Sequence, residues 1–141
     1  MIRLDEILPG AVAYFDPALL NPDGNRFRPG AAQPMISPYV CIDVDAYGGS
    51  VWLSISSRPN IVANVVLLSE WRTGGTRRWR NGDWYINSVT SAISRPNPTF
   101  VAASQNKKDP TKRSSRPHVT PAGLSYIRNA IEERRNSHDQ A

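Results

Sequence analysis

The sequence predicts a mainly β domain of the α+β kind: a small half-open β-barrel of the SH3-like type, finished by one C-terminal helix. Three observations predict it. Short apolar runs rich in β-branched residues recur between chain breakers. Twelve prolines and nine glycines supply turns too often for long helices. A helical period appears only after Val119. A chain of 141 residues is long enough for one core and too short for two. A single domain is therefore expected over residues 1–135, its helix spanning 121–135, with a polar tail at 136–141.

Ala11–Phe15, entered by Pro9-Gly10 and closed by Asp16-Pro17, reads as the first strand. Residues 18–38 contain four prolines and are expected to form a long loop. Tyr39–Val44 and Val51–Ser56 form the clearest hairpin, joined through Asp45-Ala-Tyr-Gly-Gly-Ser50, where glycines permit positive φ. After the break at Arg58-Pro59-Asn60, Ile61–Leu68 suits a fully buried strand, although its length also fits a helix. Residues 72–83 have turn formers at both ends and bases between them, which predicts an exposed loop or hairpin tip. Trp84–Ile86 and Thr99–Ala103 can each supply a short strand, separated by the proline-bearing stretch Ser88–Pro98. Residues 105–116 are poor in apolar side chains and predict a flexible basic loop. Thr120 as N-cap, Pro121 in the first turn, and Leu124, Ile127 and Ile131 at spacings of three and four predict the terminal helix.

The charge is polarised. Residues 72–116 hold ten of the seventeen Lys and Arg against only Asp83 and Asp109, whereas residues 1–71 carry four bases and seven acids. Bases interleaved with indoles offer a phosphate track and flat stacking faces, the combination that suits single-stranded nucleic acid. Arg72, Arg77, Arg78, Trp79, Arg80 and Trp84 are the binding candidates; the alternative is a hydrated Arg-rich loop. Cys41, the single cysteine, lies in an apolar run and reads as a core residue. One Cys and two isolated His have no ligand spacing, so neither metal nor cofactor is expected. Phosphate-loop and dinucleotide fingerprints are absent. His118 reads as an exposed loop histidine with the alternative role of proton shuttle, and His138 as part of the polar tail. The amino terminus lacks the apolar region of a signal peptide, and no stretch approaches the ~20 apolar residues of a membrane span. A cytoplasmic protein is expected.

The order of elements and three stretches resemble the MazF/PemK group of toxin endoribonucleases. Pro9-Gly-Ala-Val-Ala-Tyr-Phe-Asp-Pro17 is similar to that family's opening strand, Ser37-Pro-Tyr-Val-Cys-Ile42 to the start of its second, and Ser54-Ile-Ser-Ser-Arg58 to the end of its third. The resemblance covers residues 9–58 and the final helix. It implies metal-independent cleavage of single-stranded RNA, in which a ribose 2′-hydroxyl attacks the adjacent phosphate and leaves a cyclic phosphate. Such a reaction needs a proton acceptor, a cation for the developing charge and a donor for the leaving oxygen. Ser56 matches the family's hydroxyl position, with Arg58 beside it. Ser37 stands where the family has an arginine before the second-strand proline, so Arg28, or Arg26 on the same loop, is the substitute cation. Arg28, Ser56 and Arg58 are the catalytic candidates. The resemblance also implies a homodimer and an antitoxin protein as partner. The departure at Ser37 keeps a second reading open: a catalytically silent barrel that binds nucleic acid or an acidic protein, such as a phage or mobile-element accessory protein.

Overall fold

The computed structural model describes residues 2–20, 36–59, 65–104 and 116–139, with side chains up to residue 136 in the last stretch. Arg26, Arg28, residues 60–64, most of the basic stretch at 105–116 and the side chain of His138 lie outside the described residues. The strands are β1 (Val12–Phe15), β2 (Ser37–Val44), β3 (Gly49–Ser56), β4 (Val65–Val66), β5 (Arg72–Thr73), β6 (Tyr85–Ile86), β7 (Ile93–Pro96) and β8 (His118–Val119). The helices are α1 (Pro17–Leu20), α2 (Arg77–Asn81), α3 (Asn97–Ala103) and α4 (Pro121–Asp139).

The expected class holds: the domain is α+β, dominated by antiparallel sheet, with a C-terminal helix. The main sheet runs β1-β2-β3-β6-β4, and β7 shares an edge of β3 with β6. β8 pairs with β5 and lies along the start of β1, where Ala11 bridges His118 and the Val119 amide donates to Gly10 O at 2.8 Å. β4 and β5 are joined by a 3₁₀ turn at Ser69–Trp71 and do not pair with each other. The sheet therefore curls without closing.

Both faces of β2 are buried over Tyr39–Ile42, which explains its continuous apolar run. Val12↔Val40 and Val40↔Leu53 are cross-strand pairs on one face, joined there by Ile55, Ile86, Trp79, Trp84, Leu124 and Ile127. Ala13↔Tyr39 and Cys41↔Trp52 point to the other, where Phe15, Leu20, Phe100 and Ile2 pack. Period-2 alternation sends successive residues of one strand into two different cores. The hairpin turn is held by the Asp45 carboxylate, which accepts from the amides of Tyr47 (2.7 Å) and Gly49 (2.9 Å).

Four sequence expectations are corrected. Thr99–Ala103 is helical as part of α3, because Pro98 sits in a first helical turn that needs no amide from it, and Phe100 and Ala103, three apart, enter one core. β7 falls in the stretch expected to be irregular, its Ile93 pairing with Trp52. Val65–Leu68 alternates between half-buried or buried and exposed residues, an edge pattern unlike that of a fully buried strand. α4 runs to Asp139, beyond the expected end at residue 135 and into the expected polar tail. Its start matches: Thr120 Oγ1 accepts from the Gly123 amide at 3.2 Å. Gly123 is where α4 meets the turn before β5, since a Cβ there would come within 2.7 Å of both Trp71 and Val119. Arg128 ties the helix to β2 by donating from Nη2 to Ile42 O at 2.7 Å.

Candidate nucleic-acid interface

The segment expected to be an exposed loop folds into a compact unit around two indoles. After β5 the chain reverses through Gly74 and Gly75, with φ of 66° and 64°, values that favour glycine. Thr76 then caps α2, its hydroxyl accepting from the Trp79 amide at 3.3 Å. Trp79 and Trp84 are 4% and 5% exposed, with ring centroids 5.3 Å apart. Each buried indole N–H finds a carbonyl: Trp79 donates to Thr73 O at 3.0 Å and Trp84 to Arg78 O at 3.2 Å. Their faces are part of the core, which corrects the expectation that they are open stacking platforms. Their payload is apolar burial and two satisfied donors.

The arginines sort by what they touch. Arg72 is 7% exposed; it donates from Nη1 to Trp79 O and from Nε to Leu68 O at 3.4 Å, and its guanidinium lies 5.7 Å from the centre of the Trp79 ring. Arg80 reaches back to Gly75 O (2.6 Å) and Gly74 O (3.3 Å), carbonyls that the tight turn leaves without partners in the sheet. Arg95 donates to Leu20 O at 2.8 Å. Arg116 pairs with Glu6 at 2.9 Å and reaches Val12 O at 3.2 Å. Arg77 and Arg78 are exposed, and among the described residues their guanidinium groups meet no acceptor. They are the two positive charges of α2 left to solvent.

At the end of β3 a second group of candidates sits on the solvent side of the sheet. Ser56 pairs with Tyr85, and Tyr85 with Val66, so the three form one cross-strand row opposite the buried Ile55 and Ile86. The Ser56 hydroxyl accepts from the Arg58 amide at 3.0 Å and donates to Arg58 O at 3.1 Å. It serves a local turn. Arg58 is exposed, and Ser37 opens β2 opposite Phe15. The structure thus brings Ser56 and Arg58 together, while Arg28 lies outside the described residues. Tyr85 was not singled out in the sequence; the signal was the alternation of Trp84-Tyr85-Ile86, which puts Tyr85 outward when its neighbours face in. Between this row and α2 runs a cleft of about 270 Å³, lined by Leu68, Ser69, Arg72, Asn81, Asp83 and Tyr85 among others.

A third group lies where β8 meets β1. His118 is half-buried in β8, and not on an exposed loop as expected. Burial lowers its pKa below the ordinary 6.5, the nearby Arg116 charge lowers it further, and Glu6 opposes both. Burial alone would raise the Glu6 carboxyl, but the Arg116 hydrogen bond, the Arg3 amide and both positive charges hold it below its usual 4.5. Each folded-state pKa is below the unfolded value, so the unfolded chain binds more protons as the pH falls and stability is lost with acidification. The histidine contribution is complete above about pH 6.5 and declines below it. The carboxylate contribution is complete above about 4.5. His118→Gln is expected to remove the first decline and keep the second, measured as the urea midpoint against pH. A variant profile that superimposes on the parent's would contradict this assignment. Cys41 is buried, its thiol pushed up to about 12 by desolvation, which suits a core residue and not a nucleophile.

Among the described residues there is no cluster of His, Cys, Asp and Glu able to hold a metal ion, and no helix is long and apolar enough to cross a membrane. Comparison of the chain with family models, curated proteins and solved structures gives no match. The likeness to MazF/PemK toxins therefore rests on the three sequence stretches and the order of elements.

Proposed function

We propose that this domain binds single-stranded RNA, with Arg77 and Arg78 of α2 holding the phosphate backbone and the half-buried Tyr85, on the outer face of β6, receiving a stacked base. The supporting observation is the division among the arginines. Arg72, Arg80, Arg95 and Arg116 are engaged by carbonyls or a carboxylate, whereas Arg77 and Arg78 stand exposed on a short helix fixed by a capping Thr and two buried indoles. With the helix backbone already fixed, only side-chain freedom, about 0.5–1.5 kcal/mol per arginine, is lost when the two guanidinium groups meet a phosphate. A tyrosine on the neighbouring outer face adds the sequence-tolerant stacking typical of single-strand binding.

Fluorescence anisotropy with a labelled RNA oligomer tests this reading. Arg77→Gln together with Arg78→Gln should weaken binding about tenfold at low salt. It should also reduce the slope of log affinity against log salt by roughly 1.4, because each single-strand phosphate contact contributes about 0.7. Arg80 is left intact because it holds the Gly74–Gly75 turn. Unchanged affinity and slope in the double variant would remove the basis of the proposal.

The adjacency of Ser56, Arg58 and Tyr85 favours a second reading, the endoribonuclease that the sequence resemblance implies. Cleavage of the same oligomer in EDTA, abolished by Arg58→Ala, would support it. Intact oligomer after prolonged incubation with the parent protein would leave binding alone.

A further inference from the structure

We infer that the cleft between β4, β6 and α2 is a base pocket that takes one extruded guanine of the bound RNA strand. This rests on the RNA-binding reading above and adds a sequence preference to it. The cleft is about 270 Å³, a little below the ~300–1,000 Å³ range of sites that hold drug-sized ligands, and so is suited to one planar base. Its wall contains a positive charge that the fold keeps in place. Arg72 is 7% exposed; Nε and Nη1 are spent on the carbonyls of Leu68 and Trp79, while Nη2 has no acceptor among the described residues. Asp83 also lines the cleft, and the exposed carboxylate acts electrostatically on Arg72 without closing an ion pair with it. A donor and a carboxylate that share a cleft but do not neutralise each other suit a flat ligand with acceptors on one edge and donors on the next.

Guanine has that pattern. O6 and N7 accept, which matches a guanidinium N–H, and the N1 and N2 hydrogens donate, which matches a carboxylate. Uracil and cytosine lack the paired N–H groups at this spacing, and adenine presents an acceptor at N1 where Asp83 needs a donor. Asn81 supplies a further amide, and Tyr85, the middle residue of the Ser56–Tyr85–Val66 row, lines the same cleft. Arg77 and Arg78 lie in the same short helix as Asn81, so a backbone held there can deliver one base to the cleft.

Anisotropy of the full chain with three labelled oligomers tests the pocket: an all-uridine octamer, the same octamer with one central guanosine, and one with inosine at that position. The guanosine oligomer should bind about tenfold more tightly than the all-uridine one. Inosine, which lacks the N2 amino group, should fall between them. Asp83→Asn should erase the guanosine advantage while leaving the affinity for the all-uridine oligomer within twofold. The Arg77→Gln, Arg78→Gln variant should weaken all three in parallel. Equal, salt-sensitive binding of all three oligomers by the parent would overturn the pocket and leave the RNA-binding reading intact. Retention of none would overturn both. A guanosine advantage that survives Asp83→Asn would place the preference elsewhere and also overturn the pocket.

Discussion

Trp52→Ala should cost about 4 kcal/mol, a large fraction of the roughly 5–15 kcal/mol that holds a typical domain folded. Trp52 is fully buried at the centre of the core beneath α1 and α3. Phe15 meets its ring edge-on with centroids 4.8 Å apart, Phe100 lies 5.4 Å away, and its indole N–H donates to Ser50 Oγ at 2.8 Å. It also pairs across the sheet with Cys41 on one side and Ile93 on the other. Truncation removes the largest fully buried side chain, opens a cavity between three strands and leaves the Ser50 hydroxyl, itself in a residue 1% exposed, without its donor. At roughly 3 °C per kcal/mol the melting temperature should drop by about 12 °C. Trp52→Phe keeps most of the packing and loses the hydrogen bond, so it should cost about half as much. Urea unfolding of both variants checks the order; a loss under ~1 kcal/mol for the alanine variant would mean that this core is not part of the cooperative unit.

The first three strands were legible because breakers enclose each of them and each is four residues or longer. β6 and β4 fall inside the runs expected at Trp84–Ile86 and Ile61–Leu68, whereas β5 and β8, two residues each outside any apolar run, gave no local signal, and their pairing is decided by partners far away in sequence. α3 was misread for a related reason. Thr-Phe-Val-Ala-Ala has two β-branched residues and an aromatic and suits a strand locally. The helix wins because Phe100 and Ala103 share a face against Trp52 and Ile2, and because Ser104 at its end accepts from the Ile2 amide at 3.0 Å, 102 residues away. No local pattern encodes that contact.

The basic segment shows the same limit at the level of single side chains. Charge counting treats Arg72, Arg77, Arg78 and Arg80 alike, but a guanidinium is also a fork of donors suited to carbonyls that a tight turn leaves unpaired. The Gly74–Gly75 reversal makes such carbonyls, and Arg80 serves them. The glycines were visible in the sequence; the chain path that brings Arg80 back to them was not. Trp84 was separable in principle. Once Ile86 is assigned to a core-facing position, period 2 assigns Trp84 to the core and Tyr85 to solvent.

Arg72→Ala should therefore act first on stability, with a loss of about 3 kcal/mol, and beyond that on the guanosine preference of the cleft it lines. The side chain bridges the turn before β5 to the end of α2, donating to Leu68 O and Trp79 O and covering the Trp79 ring. Hydrogen bonds from a charged donor contribute about 1.5–3 kcal/mol each when buried, and a cation over an indole adds about 1. Against this stands the cost of burying the charge, seen in the lowering of the Arg72 pKa by desolvation, which Asp83 partly offsets. The net figure is accordingly nearer one strong bond than the sum of three contacts. Arg72→Lys should recover little, because an ammonium cannot address two carbonyls as a planar fork or lie flat over the ring. Hydrogen exchange should locate the damage: amides of 76–84 lose protection in Arg72→Ala, whereas those of β1–β3 keep theirs under conditions where the variant remains folded. If lysine restored full stability, or if the alanine variant lost affinity for the all-uridine oligomer with unchanged urea midpoint, Arg72 would be a phosphate-binding residue set in the surface and not the strut that fixes α2.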